Sequence, residues 1–484
     1  MGVLQGWGTH NRIIGQVRSR DAMVRIFRHY IPGSLLLLAL VEHLTLITAI
    51  YVALFLRWAD AENITTSLAE HFAEAVTFAT VFSLMMMAFG LYHKDICYRL
   101  GMIMSRLLLS FAVGFLLLTL LFYVYPSLAL WRSAFAIAFV LGFVGIMGLR
   151  WLYRSLANVE TFKRRILVLG VGQKAARIAE LERSSSNHSF TCAGFVPFDD
   201  REYKVEAGRN IWGSMSLPEL ARDEGIEEIV VALDERRGHL PVSELLNCKF
   251  TGVDVSDYTT FWERETGRVD LDSLNPSWLI FSDGFVGGRL QSMMKRAFDL
   301  AASLLLLVLS LPILIIAAIA VKLGSAGPVF YRQERVGLNG KPFQLLKFRS
   351  MRVDAESDGV PRWADVKDSR ITRVGAIMRR TRIDEIPQIF NVIRGDMSFV
   401  GPRPERPFFV ERLRGAIPYY FERHRVKPGI AGWAQLNYPY GASVEDAKQK
   451  FQYDLYYIKN YSVFLDLLVL LQTARVILWS HGAR

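Results

Sequence analysis

Runs of apolar residues long enough to cross a bilayer constrain this chain before anything else does. Four come early, at residues 34–56, 75–92, 107–125 and 134–151. In hydrocarbon the backbone must satisfy its own hydrogen bonds, and runs of about 20 residues do so as helices. The expected element is a four-helix transmembrane domain over residues 1–158. Basic residues set its orientation. Arg12, Arg18, Arg20, Arg25 and Arg28 precede the first run, Lys94, Arg99 and Arg106 sit in the middle loop, and Arg150, Arg154, Lys163, Arg164 and Arg165 follow the last. The other two loops hold few, so both ends of the domain are expected in the cytoplasm. Glu42 and His43 lie inside the first run, where ionisable groups either mark function or are satisfied by neighbouring helices.

Composition agrees, since 51% of the 484 residues are hydrophobic. A net charge of +11 suits nucleic acid, an anionic membrane face or phosphorylated substrates alike, so location must decide. Cys97, Cys192 and Cys248 make neither a disulfide framework nor a spaced metal site, and the soluble parts therefore read as cytosolic. The basic N-terminus, with its first long apolar run starting near Ser34, reads as lacking a cleavable signal.

Residues 159–286 alternate β-branched runs with amphipathic helical patterns, the signature of a small Rossmann-like α/β domain. Its first strand runs into Gly170-Val171-Gly172-Gln173-Lys174-Ala175, a turn able to present N–H groups to a diphosphate, which makes Gly170 and Gly172 candidate nucleotide-binding positions. The acidic residue expected about 20 positions on is missing, and Asn187-His188 stands there. A plain fold turn is the alternative, and the domain reads as structural or regulatory.

A fifth apolar run covers 297–321, with Ser310-Leu311-Pro312 at its middle. Proline removes one helical hydrogen bond and clashes with the preceding turn, so a sharp bend is expected there. A spanning helix would also carry everything beyond Lys322 out of the cell. Residues 325–460 are polar, basic and rich in Gly and Pro, and form the candidate catalytic part of a domain over 287–484. The last run, 461–479, is broken by Asp466, Gln472 and Arg475 and suits a helix at the membrane interface.

Chemistry centres on Met378-Arg379-Arg380-Thr381-Arg382-Ile383-Asp384-Glu385-Ile386-Pro387-Gln388, two adjacent carboxylates after three arginines. A solvated helix face is the plain reading. The functional one is that cations and a bound Mg²⁺ neutralise a diphosphate while a carboxylate attacks phosphorus. Arg379 and Arg403 are the candidate diphosphate ligands, and Arg403 lies between two prolines in Gly401-Pro402-Arg403-Pro404, which fixes its backbone for phosphate contact. Lys347 and Arg349 in Lys347-Phe348-Arg349-Ser350-Met351, and His424 and Lys427 in His424-Arg425-Val426-Lys427-Pro428-Gly429, add further candidate phosphate ligands.

The ordered set of these motifs over residues 295–466, closing with Asp454-Leu455-Tyr456-Tyr457-Ile458-Lys459-Asn460 and Ser462, resembles the bacterial polyprenyl-phosphate phosphoglycosyl transferases. The preceding helices and α/β domain resemble the large form of that family, similar to undecaprenyl-phosphate glucose and galactose phosphotransferases. The resemblance implies a monotopic α+β catalytic domain at the cytoplasmic face of the inner membrane, with the helix 297–321 re-entrant. It implies Asp384 as nucleophile on a UDP-sugar, Glu385 as metal or acid/base partner, Mg²⁺ as cofactor, and polyprenyl phosphate as acceptor. Nucleic acid is not among the implied partners, and a homodimer is. Many relatives have Ser-Pro adjacent at the membrane break, whereas here Ser310 and Pro312 flank Leu311. The alternative from another class is a nucleotide-sensing membrane scaffold or regulator using the Gly170 turn.

Overall fold

The computed structural model describes residues 23–479 except 27–28, 59–70, 93–99, 157–162, 185–188, 198–203, 206–215, 235–239, 275, 286–287, 354–369, 440 and 442. Arg12, Arg18, Arg20, Arg28, Lys94, Arg99 and Cys97 lie outside the described residues, as does Asn187-His188.

Helices Gly33–Trp58, Phe72–Ala88, Leu100–Val124 and Arg132–Leu156 form an apolar bundle. Interlocked rings fill it: Phe82 stacks on Phe111 with centroids 4.4 Å apart and meets Phe78 edge-on at 4.7 Å. The third helix can approach because position 114 is glycine, where a Cβ would lie 2.6 Å from the Phe82 ring. Leu37, Leu40 and Leu44 on the first helix face outward, as a lipid-exposed surface requires. The second helix ends at Ala88, earlier than the apolar run, because Gly90 adopts φ +70° and turns the chain. At 17 residues it is shorter than a full span. The third begins at Leu100 rather than near 107, and Arg106 donates to the Phe89 and Gly90 carbonyls at 3.1 and 3.3 Å, closing the end of the second helix.

Arg150, counted above among the flanking cations, points inward instead. It is 3% exposed and grips the fully buried Glu42 through Nε at 2.7 Å and Nη2 at 3.0 Å. Tyr92 donates to the same carboxylate at 2.7 Å, and Arg150 also donates to the Leu91 carbonyl at 3.0 Å. His43 meets Ser83 at 3.0 Å. Both ionisable groups of the first run are thus satisfied by neighbouring helices.

Four parallel strands, in the order Phe190–Val196, Arg164–Leu169, Glu228–Val231, Asp254–Asp257, make the next unit. Alternate residues of the central strand enter opposite cores: Ile166 and Val168 join Phe190, Tyr258 and Phe261, while Leu167 and Leu169 join Leu217, Leu245 and Cys248. Burial on both faces explains why these strands read as continuous apolar runs.

Beyond it, the helix Arg289–Gly324 runs 36 residues and stays helical through Pro312. By length and composition it is one of four helices among the described residues able to cross a membrane, with Gly33–Arg57, Gly101–Val124 and Arg132–Ser155. Its two halves pack on one polar body. In the first half Lys295 reaches Asp466 at 2.6 Å and the Val400 carbonyl at 3.1 Å, and Asp299 accepts from Ser398 and the Phe399 amide at 3.0 Å. In the second, Leu314, Ala317 and Val321 pack with Phe348 and Met378. Ser310 is buried and its hydroxyl has no hydrogen-bond partner. The polar body contains the antiparallel pair Phe330–Val336 and Pro342–Phe348 and the parallel pair Ser398–Val400 and Gly429–Ala431. It also holds helices Pro407–Ala416 and Val444–Lys459. Val269 and Leu271 belong to its core beside Leu455 and Tyr456, so packing joins the chain to this body before residue 286.

A buried ion pair contributes little net stability, yet removing one partner strands the other charge at about 3–5 kcal/mol. Arg150→Met alone is therefore expected to lower the thermal unfolding temperature in detergent more than the paired Glu42→Met, Arg150→Met substitution does.

Candidate active site

The helix Arg373–Arg380 ends at Thr381, and Arg382 takes a left-handed conformation at φ +60° that starts the 3-10 turn Ile383–Gln388. Ile383 and Ile386 pack into the Leu314–Phe348–Met378 core, which turns Asp384 and Glu385 away from it toward the strand Pro342–Phe348. That strand is held by Asn391, whose side chain bonds the Leu346 amide at 3.0 Å and the Gln344 carbonyl at 2.8 Å. Lys347 is thereby placed beside the carboxylates.

The two neighbours have opposite environments. Glu385 receives Arg403 Nη2 at 2.9 Å, Lys347 Nζ at 3.2 Å and Arg382 Nη1 at 3.5 Å, all on Oε1. Burial pushes its pKa up, but Lys347, Arg403 and Arg382 outweigh burial and leave it well below the ordinary carboxylate range. Asp384 is 7% exposed and its Oδ1 has no hydrogen-bond partner. Burial and the adjacent Glu385 charge raise its pKa against the pull of Lys347, Arg379 and Arg382. Burial in turn lowers the Lys347 pKa. A solvated helix face would show neither the burial nor the split.

Of the candidate phosphate ligands, Lys347, Arg379 and Arg403 are brought to the pair, and three others are not. Arg349 is buried and donates through Nη2 to the carbonyl and hydroxyl of Ser325, both at 2.8 Å, closing the end of the helix Arg289–Gly324. Lys427 lies among Arg296, Asp299 and Asp396, with its pKa lowered by burial. His424 bonds the Phe421 carbonyl at 3.1 Å, and burial lowers its pKa to about 4, so it is neutral at neutral pH. Its position in a basic loop suggested a cation; the interior it occupies removes the charge.

The Gly170 turn is filled from within. Asp234 accepts from the Gln173 and Lys174 amides at 2.8 and 3.2 Å, taking the position a diphosphate would occupy at a helix N-terminus. A Cβ on Gly172 would lie 2.2 Å from Asp234 Oδ2, so the chain's own carboxylate accounts for that glycine.

Among the described residues no group of three or more His, Cys, Asp or Glu is placed to hold a metal. A hard divalent cation held by one or two carboxylates and by substrate phosphates needs no such group. The unengaged Oδ1 of Asp384 beside Glu385 fits that mode.

Sequence reasoning assigned no role to Arg423, Asp454 or Lys295. Arg423 and Asp454 are 6% and 3% exposed and pair at 3.0 Å. Asp454 carried a readable signal, a charge on the same helical face as Phe451 and Leu455.

A family model for bacterial sugar transferases matches residues 290–480, and one for a CoA-binding domain matches residues 87–240. The chain is 42% identical over 191 residues to the UDP-glucose:undecaprenyl-phosphate glucose-1-phosphate transferase of Caulobacter vibrioides, covering 39% of this chain and 71% of that protein. It is 41% identical over 240 residues to the UDP-N-acetylgalactosamine-undecaprenyl-phosphate N-acetylgalactosaminephosphotransferase of Aeromonas hydrophila, covering 50% of this chain and 56% of that one. With the undecaprenyl-phosphate glucose phosphotransferase of Komagataeibacter xylinus it shares 34% identity over 327 residues, 66% of this chain and 60% of that protein. The chain belongs to the bacterial sugar transferase family. It spans a little over half the length of the Aeromonas and Komagataeibacter relatives.

Because the depressed His424 pKa keeps the folded state neutral while the unfolded chain protonates, its contribution to stability is complete above pH 6.5 and is lost as pH falls toward 4. His424→Gln is expected to flatten that part of the unfolding temperature against pH curve. Asp234 in the anion seat also leads to an expectation that calorimetry detects no CoA or dinucleotide binding at the Gly170 turn of the full chain.

Proposed function

We propose that this chain transfers a sugar 1-phosphate from a UDP-sugar to polyprenyl phosphate, releasing UMP and leaving a polyprenyl diphosphate sugar. The observation that carries the reading is the division of labour at the dyad: Glu385 gathers three cations, while Asp384 keeps a buried oxygen without a hydrogen-bond partner. Cations drawn together by Glu385 supply the positive field that a diphosphate needs. A carboxylate oxygen with no hydrogen bond has its lone pairs available for attack.

In the proposed sequence an Asp384 oxygen attacks the β-phosphorus of the donor. The bond from that phosphorus to the bridging oxygen breaks, and the oxygen leaves on UMP. The phosphosugar remains on Asp384 as an acyl phosphate. An oxygen of polyprenyl phosphate then attacks the same phosphorus, breaks the acyl–phosphate bond and restores the carboxylate, with no net proton transfer. Lys347 and Arg403 orient the diphosphate, and Arg379 adds to the field around Asp384. Asp384 and Glu385 are the side chains that would hold Mg²⁺, whose contribution there would be to neutralise charge on the donor diphosphate.

The proposed arrangement has a transmembrane domain over 1–158, an α/β domain over 159–286 and a catalytic domain over 287–484 at the cytoplasmic face of the inner membrane. A straight helix of 36 residues would extend roughly 54 Å. Anchorage of both halves of Arg289–Gly324 on one polar body supports a re-entrant path. The alternative of a nucleotide-sensing scaffold loses its main support, since Asp234 fills the seat on which it rests.

Purified full-length chain in nanodiscs, given a panel of UDP-sugars, Mg²⁺ and polyprenyl phosphate, is expected to release UMP from at least one donor. Asp384→Asn should release it at least about a hundredfold more slowly, and an Asp384→Asn enzyme with normal turnover would rule the nucleophile assignment out.

A further inference from the structure

The backbone around Arg403 is held far more firmly than a surface turn requires. From Val400 to Glu405 every carbonyl but that of Gly401 accepts a hydrogen bond from elsewhere in the chain. Val400 accepts from Lys295 at 3.1 Å and Tyr457 at 2.9 Å, and Pro402 from the Gly429 amide at 2.9 Å. Arg403 accepts from Arg423 at 3.0 Å, Pro404 from Arg335 at 2.9 Å, and Glu405 from the Val336 amide at 2.9 Å. Three of these donors are cationic side chains, brought from the helix Arg289–Gly324, the strand Phe330–Val336 and the turn Tyr420–Arg425.

Arg423 meets the segment at the residue that matters. Its Nη2 is shared between the Arg403 carbonyl and Asp454 Oδ2, each at 3.0 Å, and its Nη1 donates to Tyr420 at 2.6 Å. The Arg423 side chain is 7% exposed, that of Asp454 4%. So buried a pair is a weak source of stability, and apolar side chains would fill the same space as well. What apolar side chains cannot do is fix a carbonyl through a planar fork whose own angle is set by a carboxylate.

We propose that Asp454 and Arg423 are a positioning pair for Arg403: Asp454 orients the Arg423 guanidinium, which fixes the Arg403 carbonyl and so aims the Arg403 side chain at the donor diphosphate. The inference rests on the sugar-phosphate transfer reading. Neither member of the pair reaches the dyad itself; the shared path runs from Asp454 through Arg423 and the Arg403 backbone to Arg403 Nη2, 2.9 Å from Glu385. A displacement of about 1 Å in such a group lowers rate by roughly a hundredfold, which sets the scale of the effect.

The test is a double-mutant cycle on UMP release by the full-length chain in nanodiscs, with Asp454→Asn, Arg403→Ala and their combination. Asp454→Asn is expected to lower kcat/KM for the UDP-sugar at least about tenfold with KM for polyprenyl phosphate unchanged. In the Arg403→Ala background the same substitution should lower it less than about twofold, because a pair acting through Arg403 has nothing left to position. Arg423→Lys, which keeps the charge and loses the fork, should repeat the pattern and serves where Asp454→Asn does not fold. Effects that simply multiply, or a loss falling equally on the acceptor KM, overturn the positioning role alone. A wild-type chain that releases no UMP from any UDP-sugar overturns the transfer reading and this inference with it.

Discussion

The contact of Arg403 with Glu385, 2.9 Å long and joining a half-exposed guanidinium to a mostly buried carboxylate, is the interaction on which the rest of the site depends. A carboxylate buried this deeply is tolerated only with cationic partners, and Glu385 has three. Those partners come from separate parts of the chain: a strand, a 3-10 turn and a proline-bounded loop. Bringing them to one oxygen fixes the relative placement of all three elements. It also concentrates positive charge beside Asp384, whose own environment raises its pKa through burial and the Glu385 charge. Local geometry, electrostatics and the chemistry proposed for the site thus share one origin.

Much of this was legible in the sequence, and the reasons are physical. Hydrophobic runs located the bundle helices because a 3.6-residue helix in lipid has to be apolar over most of its surface. That Arg403 meets the Asp384-Glu385 motif was foreshadowed by their composition, since adjacent carboxylates withdrawn from water need cations beside them. The end of the second helix was misplaced because apolarity continues through Leu91 while the backbone turns at Gly90. Arg150 was read as a flanking charge because its partner, Glu42, is 108 positions away, and no local pattern reports so distant a contact. His424 and Arg349 read as exposed cations for the same reason, since their burial depends on the whole fold.

The α/β unit illustrates how a motif can be explained without a ligand. The glycines at 170 and 172 look like a diphosphate turn, yet the carboxylate of Asp234 and the strand end at Ala232 lie where added side chains would have to go. The unit is tied to the polar body by Glu263, which bonds Lys459 and Asn460, and by the Trp433 indole, which donates to the Gly267 carbonyl at 2.8 Å. These ties place its far end beside the helix Val444–Lys459 that also carries Asp454. A rigid brace for that helix follows from such contacts.

The Glu42–Arg150 pair bears on how the bundle is built in the first place. Glu42 on the first helix and Arg150 on the fourth are 108 positions apart, so the contact exists only when both helices are in place. Each partner is an ionisable group that an apolar bundle tolerates only beside the other, so the pair ties the first helix to the fourth and disfavours arrangements of the bundle that separate them.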